Sequence, residues 1–355
     1  MFMKNETRLL REMLTDMEKA PKLYRPSLYW KSKEKRLVTW LLKNDINSFR
    51  SYDTPFRSFG GGAERLSDED YQHIEETYQK SPVLKGITAC LLKLRDRFPG
   101  LRTHVNLLLP SFHMTNMWYR SQYQRELFLQ LLESSISESP EMQKFGDRCL
   151  GHPSDAIEFE GNFYTPNFYN KLKEYFFAKQ YIEFDEVESV LEIGAGYGAQ
   201  MEVILEDNEE TRGCIVEIPP QLYLAQQYLD ACYPREVCKY HEVKKLGVAN
   251  ALRDFRAVCL APWQIAELPE GTFDLFWNMA SFQEMSPIVV ENYAHHIQRA
   301  TKRFLYIANS VEGDVSIPRH VRTHTSYDEY IGFFDGFEIK WAEDGDLRRG
   351  VFVKK

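Results

Sequence analysis

Val187-Glu-Ser-Val-Leu-Glu-Ile-Gly-Ala-Gly-Tyr-Gly198 is the stretch of sequence that decides the fold. A short apolar run ends here in three glycines at alternate positions, a pattern typical of a buried parallel strand that enters a tight loop and then a helix. Glu192 is the exception, because a carboxylate at the end of a buried strand is costly unless a cation or a hydrogen-bond donor meets it. The stretch therefore predicts a strand, a loop and a polar ligand beside the loop.

Composition narrows the class of protein. With 355 residues, 43% of them hydrophobic, the chain can bury a substantial core as one large domain or two of ordinary size. The formal net charge of −8 argues against a non-specific binder of nucleic acid or acidic membranes. The six cysteines have no C-x-x-C or metal-finger spacing, which favours reduced thiols. Because neither a signal peptide nor a membrane span is recognisable, we expect a cytoplasmic protein.

Two regions differ in their hydrophobic patterning. Residues 1–150 have apolar residues at helical spacing and are predicted to be mainly α-helical. Over residues 151–355, strand-like and helical segments alternate, which indicates βαβ units and a parallel sheet with helices on both faces. Phe337–Ala342 and Gly350–Lys354 read as an antiparallel hairpin. The predicted fold class is therefore α/β, a mostly parallel Rossmann-like sheet with a C-terminal hairpin, preceded by a mainly helical N-terminal region.

The N-terminal region contains several weaker signals. Helices are predicted at about 67–79, 82–97 and 116–135. The triple glycine at 60–62 is interpreted as a flexible loop, since no strand precedes it and no Gly-Lys-Ser/Thr follows. The aromatic segment 110–118 is interpreted as a buried loop, with a substrate cleft as the alternative.

The loop Gly194-Ala195-Gly196-Tyr197-Gly198, here called the glycine loop, is expected to let the backbone approach a ligand at the start of the next helix. The glycines alone do not choose between cofactors, because Ala199 completes the looser dinucleotide fingerprint G-x-G-x-x-A. An acid at Glu192 suits an ammonium group, such as that of S-adenosylmethionine, and has no role beside a pyrophosphate. The alternative is a structural Glu192 that caps the loop.

Three further positions are candidates for the cofactor site. Glu217 ends the second strand 23 residues after Gly194, at a spacing that suits the ribose hydroxyls, and Ile218 follows it before a helix that starts at proline. Trp263, after the third strand, is a candidate to stack on adenine, with a core position as the equal alternative. Asn278 ends the fourth strand and is expected to face the transferred group.

The segment after the fourth strand supplies the catalytic candidates. Transfer of a methyl group to a hydroxyl needs an in-line oxygen and a base that takes its proton. Glu284 is the predicted base, with Gln283 beside it. His295 and His296, one helix further on, are the rivals, although surface or core histidines are the simpler interpretation.

Glu192-Ile-Gly-Ala-Gly-Tyr-Gly198, Val216-Glu-Ile-Pro-Pro220 and Ser281-Phe-Gln-Glu-Met285 together resemble the sugar O-methyltransferases of bacterial surface-polysaccharide clusters, within the class I S-adenosylmethionine-dependent methyltransferases. The resemblance covers roughly residues 151–309. It implies S-adenosyl-L-methionine as cofactor and a small-molecule or glycan acceptor, whose cleft we expect from the helical region and the aromatic segment 163–181. Related enzymes often have histidine where this chain has Gln283-Glu284, which makes Glu284 the matching position.

Several alternatives stay open at this point. Some sugar methyltransferases use a divalent cation, and the sequence neither requires nor excludes one. A methyltransferase with a non-sugar acceptor and a catalytically silent binding protein are the competing functions. The sequence does not name the sugar, the hydroxyl or the oligomeric state, for which a homo-oligomer is one option.

Overall fold

The computed structural model describes residues 2–59, 72, 76–98, 105, 110–311, 326–345 and 347–355, without the side chains of 28, 29 and 110–122. The triple glycine at 60–62 and most of the helix predicted at 67–79 lie outside these residues. Residues 76–80, which are described, are helical as predicted. No helix in the described ranges combines the length and the apolar character that crossing a membrane requires.

An eight-stranded sheet forms the centre of the fold. Its strand order is β5-β6-β4-β3-β7-β8-β10-β9, in which β10 pairs antiparallel with both β8 and β9 and the others pair in parallel. The strands are β3 Ser189–Ile193, β4 Arg212–Val216, β5 Val237–Cys238, β6 Ala257–Leu260, β7 Phe273–Met279, β8 Thr301–Asn309, β9 Phe337–Glu343 and β10 Arg348–Lys354. The predicted parallel sheet and antiparallel C-terminal hairpin are confirmed.

Helices surround this sheet and precede it. The α-helices with described bounds are α1 Thr7–Lys19, α2 Leu28–Lys43, α3 Pro82–Arg97, α4 Pro110–Glu138, α5 Pro166–Lys179, α6 Ala199–Asp207, α7 Pro219–Cys232, α8 Tyr240–Leu246, α9 Val248–Asp254, α10 Pro287–Ala300 and α11 Tyr327–Ile331. The predominance of helix before residue 150 agrees with the predicted helical N-terminal region.

β3 holds the central position because its sequence is apolar on both faces. Val190 and Leu191 are fully buried and belong to the two hydrophobic clusters of the molecule. β3 pairs with β4 on one side and with β7 on the other, so neighbouring strands bury its two edges as well. An apolar run without alternation is what a strand buried on both faces requires.

The N-terminal region packs directly on the α/β part. Leu10 and Met13 of α1 are fully buried and share one core cluster with the residues of α7. Polar contacts accompany this packing, since Tyr223 donates to Asn5 Oδ1 at 3.0 Å and Lys239 lies 3.3 Å from Glu6 Oε2. The predicted division at residue 150 stays a prediction, but a shared core joins the two sides.

Two segments differ from the sequence-based prediction. Residues 110–118 are helical and belong to α4, so they do not form a loop. The sequence contains no proline or glycine between Pro110 and Glu138, so neither residue type interrupts the helix. The turn-rich segment before α5 contains an antiparallel hairpin of β1 Ile157–Phe159 and β2 Asn162–Tyr164, whose strands are too short to show periodicity.

Candidate active site

A cavity of about 590 Å³ lies at the carboxyl ends of β3, β4 and β7. Its lining comes from residues 22–27, 30, 33, 58 and 59 of the N-terminal region, from Asn167 and Lys171 of α5, from residues 194–197 of the glycine loop and Ala199, from 217, 218 and 221, and from 279–281, 284–286, 289 and 293. In an open α/β sheet, this edge is where ligands bind. The cavity therefore combines residues more than 250 positions apart in sequence.

The glycine loop adopts a conformation that L-residues with side chains disfavour. Gly194, Gly196 and Gly198 have φ angles of +80°, +60° and +97°. Gly194 has a second constraint, because an added Cβ would lie 2.3 Å from Cβ and Oγ of Ser281. Ser281 is fixed in turn, since it donates to the Ile193 carbonyl and accepts a hydrogen bond from Asn278. Glycine at 194 thus lets the loop lie directly on the β7 turn.

We expect Gly194→Ala to destabilise the fold more than Gly161→Ala. Both glycines have φ near +80°, but an added Cβ at Gly161 would meet nothing within 4 Å. Gly161→Ala should therefore cost only the conformational term, about 1–2 kcal/mol, whereas Gly194→Ala adds the clash with Ser281. Urea denaturation of the two variants measures the difference, and equal free energies of unfolding would contradict the close approach of Ser281.

Glu217 is buried at the end of β4 and lines the cavity. Its two carboxylate oxygens accept backbone N–H groups of Gly196 and Ile218, each at 2.7 Å, so the side chain ties the glycine loop to the start of α7. Burial raises the pKa of Glu217 to about 8, the nearby Glu284 and Glu192 add to this, and the two N–H groups oppose it. A positively charged ligand would relieve this concentration of negative charge.

Glu192 on β3 is only 2% exposed and is not itself a lining residue. Within the described ranges its Oε2 atom has no hydrogen-bond partner. Burial raises the pKa of Glu192 to about 7, and Lys171 opposes the shift. A buried acceptor without a partner is unusual in folded proteins and often indicates a missing water, ion or ligand.

Glu284 lies in a short helical turn, Phe282–Glu284, that follows β7. Its Oε2 atom accepts a hydrogen bond of 2.8 Å from the indole Nε1 of Trp30, a residue 254 positions earlier in the chain. This contact orients a half-buried carboxylate at the cavity surface. The N-terminal region thus supplies a partner for the predicted base.

Residues 22–33, here called the N-terminal wall, belong to the helical region from which an acceptor cleft was expected, but the sequence did not single out any of them as a site residue. They comprise most of the connection between α1 and α2 and the start of α2, and seven of them between Lys22 and Trp30 line the cavity together with Lys33. Prolines at positions 21 and 26 disfavour a continuous helix here, but nothing in the sequence indicates what this segment faces. Asn167 and Lys171, one turn apart on α5, lie in the segment 163–181 from which the acceptor cleft was also expected, but they were not named as site residues.

Besides Glu192, five of the predicted site residues lie outside the cavity lining. Gly198 caps α6 and packs on Leu229. Trp263 is partly buried and packs edge-on against Tyr240, with the ring centroids 5.9 Å apart. The other three are held by polar contacts: Asn278 donates to the Ile193 carbonyl at 2.9 Å, Gln283 Oε1 accepts the Ser310 N–H at 2.7 Å, and His296 Nε2 lies 3.2 Å from the Tyr24 hydroxyl. Their predicted roles toward a ligand stay predictions.

The lining residues fit S-adenosylmethionine. Gln221 lines the cavity at the start of α7 and is 2% exposed, and its Oε1 atom has no partner among the described residues. The Oε2 atom of Glu192, which is buried outside the lining, also has no partner there. Acceptors of this kind suit the ammonium and hydroxyl groups of the cofactor. In the described part of the chain, no group of three or more His, Cys, Asp or Glu side chains could hold a metal ion, and metal dependence stays open.

Comparisons with known proteins gave matches to solved structures at low identity. No family model and no curated protein matches the chain. A solved protein of Pyrococcus horikoshii has 13% identity and a TM-score of 0.40, over 54% of this chain and 92% of its own. The mitomycin 7-O-methyltransferase MmcR has 15% identity and a TM-score of 0.36, over 64% of this chain and 60% of its own. A SAM-dependent methyltransferase of Aquifex aeolicus has 20% identity and a TM-score of 0.33, over 51% of this chain and 88% of its own. At this level of likeness, the function has to be inferred from the cavity itself.

Proposed function

We propose that this protein is an S-adenosylmethionine-dependent O-methyltransferase that acts on a sugar hydroxyl in surface-polysaccharide or glycan biosynthesis. The observation that carries the proposal is one cavity that joins the glycine loop, Glu217 and Glu284 at the carboxyl edge of the sheet. A loop for close backbone approach, a carboxylate for the ribose and a carboxylate for proton transfer are what the reaction needs.

Residues of the loop and of the neighbouring strands would bind the cofactor. Gly194 and Gly196 line the cavity and would bring the backbone close to the methionine part, while the buried Glu192 would supply a negative charge nearby. Each oxygen of Glu217 accepts one backbone N–H group and retains a lone pair for a ribose hydroxyl. When bound, S-adenosylmethionine supplies a methyl group on a positively charged sulfur.

Glu284 would act as the general base. An alcohol is a poor nucleophile until its proton is removed, and Glu284 is a carboxylate on the cavity surface. The N–H group of Trp30 holds the carboxylate in one orientation at the cavity surface, where it would accept the proton of the acceptor hydroxyl. Glu284 would then release this proton to solvent.

The sugar assignment rests on the composition of the acceptor side. Tyr24, Trp30 and Phe59 place aromatic rings on the lining, and such rings suit the apolar faces of a sugar. Asn167 adds a hydrogen-bond acceptor, because its Oδ1 atom has no partner among the described residues. The aromatic rings thus come from the N-terminal region, whereas the segment 163–181 contributes Asn167 and Lys171 to the lining.

Calorimetry followed by methyl transfer tests the proposal. We expect S-adenosylhomocysteine to bind the protein, and labelled S-adenosylmethionine to transfer its methyl group to sugars or sugar nucleotides in preference to panels of phenols and amines. Transfer to phenols or amines alone would contradict the sugar assignment. Binding without any transfer would favour a catalytically silent protein, and absence of binding would disprove the cofactor assignment.

Affinity for S-adenosylmethionine should rise with pH. At pH 6 the carboxyls of Glu192 and Glu217, with pKa values of about 7 and 8, are largely protonated, and as the pH rises they gain the negative charge that attracts a cation. We expect the affinity to increase by about tenfold between pH 6 and pH 8. Calorimetry across this range measures it, and Glu217→Gln should remove the part of the increase nearest pH 8. A flat profile would contradict the assignment.

A further inference from the structure

Lys171 is an ammonium group for which the proposed reaction has no use. It lies on α5, is half-buried and lines the cavity. Its Nζ atom donates to Sδ of Met279 at 3.2 Å, and a thioether is only a weak acceptor. Among the described residues, no carboxylate lies within ion-pair distance of Nζ. The positive charge thus faces the cavity without a direct ion pair among these residues, while Glu192 and Glu174 act on it only from a longer distance.

The environment of Lys171 disfavours this charge. Burial lowers the pKa of Lys171, and Glu192 and Glu174 oppose the shift. Glu174 is itself neutralised, because it forms a bidentate ion pair with Arg349 and accepts a hydrogen bond from Tyr306. Buried charges in folded proteins are normally paired, so an unpaired lysine in a cavity indicates that a ligand completes the pair.

The N-terminal wall adds positive charge to the same cavity. Lys22, Arg25 and Lys33 line the cavity. The Arg25 guanidinium donates to the backbone carbonyls of Ala20 and Glu18, and neither of these two contacts places a carboxylate against its charge. The carboxylates of the lining, Glu217 and Glu284, lie instead on segments that follow the strands of the sheet. The chain as a whole has a net charge of −8, so a group of four basic side chains at one cavity differs from the average charge of the protein.

We propose that the acceptor carries an anionic group, the carboxylate of a uronic acid or a phosphate ester, which pairs with Lys171 inside the cavity. This inference rests on the proposed function and deepens it by naming the class of acceptor. The cations of the N-terminal wall attract the same group to the cavity, since clefts with one sign of charge concentrate ligands of the opposite sign. Neutral sugars lack the group that completes the ion pair.

Calorimetry with three sugars tests the acceptor class without turnover. The full-length protein, saturated with S-adenosylhomocysteine, is titrated with glucose, glucuronate and glucose 1-phosphate. We expect at least one of the two anionic sugars to bind at least about tenfold more tightly than glucose. A preference for glucuronate identifies a carboxylate, and one for glucose 1-phosphate a phosphate ester. Equal binding of all three, or no binding of either anionic sugar, would overturn the inference.

Matched variants assign the effect to Lys171. Lys171→Met should weaken binding of the anionic sugar by about 30-fold or more, since loss of one partner of a buried ion pair is costly. Lys171→Arg should restore part of this affinity, whereas Lys173→Met, at an exposed position of the same helix, should leave it unchanged. Unaltered binding in Lys171→Met would refute the role of Lys171. Because S-adenosylhomocysteine binding is measured first, failure of the proposed function is distinguishable from failure of this inference.

Discussion

Glu284→Gln is expected to lower kcat by about 10²–10⁴-fold, the range that a positioned general base contributes. The amide is nearly the same size as the carboxylate and can still accept the hydrogen bond from Trp30 Nε1. The variant therefore changes the ability to take a proton while leaving the shape of the cavity unaltered. Steady-state kinetics with labelled S-adenosylmethionine measures the loss.

Binding data and a control variant separate this effect from damage to the fold. Affinity for S-adenosylhomocysteine should stay within about threefold of the parent protein, since the change acts on the transition state and not on uniform binding. Glu291→Gln, an exposed position on α10, should leave both kcat and affinity unchanged. If Glu284→Gln retains full turnover, another group takes the proton.

Arg50→Met is expected to lower the free energy of unfolding by about 3–5 kcal/mol, the cost of leaving one charge of a buried pair uncompensated. Arg50 is fully buried and donates to both carboxylate oxygens of Asp147, to Thr165 Oγ1 and to the carbonyls of Phe59 and Leu150. Methionine fills much of the same volume but provides none of these donors. Urea denaturation measures the change.

An exposed ion pair provides the control for this prediction. Arg253 and Asp254 form a similar pair at the surface, where solvent screens the charges, and Arg253→Met should leave the unfolding midpoint unchanged. Replacing Arg50 and Asp147 together, as Arg50→Met with Asp147→Leu, should restore part of the lost stability, because it removes both buried charges. Equal effects of Arg50→Met and Arg253→Met would contradict the structural role of the buried pair.

The Arg50–Asp147 pair also connects the N-terminal region to the glycine loop. The Arg50 guanidinium lies 4.9 Å from the centroid of the Tyr197 ring, and Phe49 and Phe59 pack on the same ring. Tyr197 is 2% exposed, and these contacts hold the middle of the glycine loop against the N-terminal region. The helical region therefore supports the loop as well as lining the cavity.

The strands of the α/β part could be predicted from short stretches of sequence, because each strand depends on the pattern of residue types within it. An apolar run without alternation predicted the buried strand β3, and the hydrophobic segments around a turn predicted the hairpin of β9 and β10. The glycine loop, Glu217 and Glu284 were identifiable because the carboxyl ends of parallel strands meet at one edge of a sheet. The same rule did not distinguish the residues that line the cavity from their neighbours in sequence. Asn278 and Gln283, for example, form hydrogen bonds within the protein and do not line the cavity.

Sequence alone therefore determined the sheet, the loop and the acidic residues beside it, since each depends on residue type at short spacing. Tertiary structure decided what faces them. The hydrogen bond between Trp30 and Glu284 and the position of Lys171 beside Met279 join segments 254 and 108 residues apart, and no periodicity within either segment encodes such a contact. Packing of the N-terminal region on the sheet creates them, because only the burial of both surfaces in one core brings the two segments together.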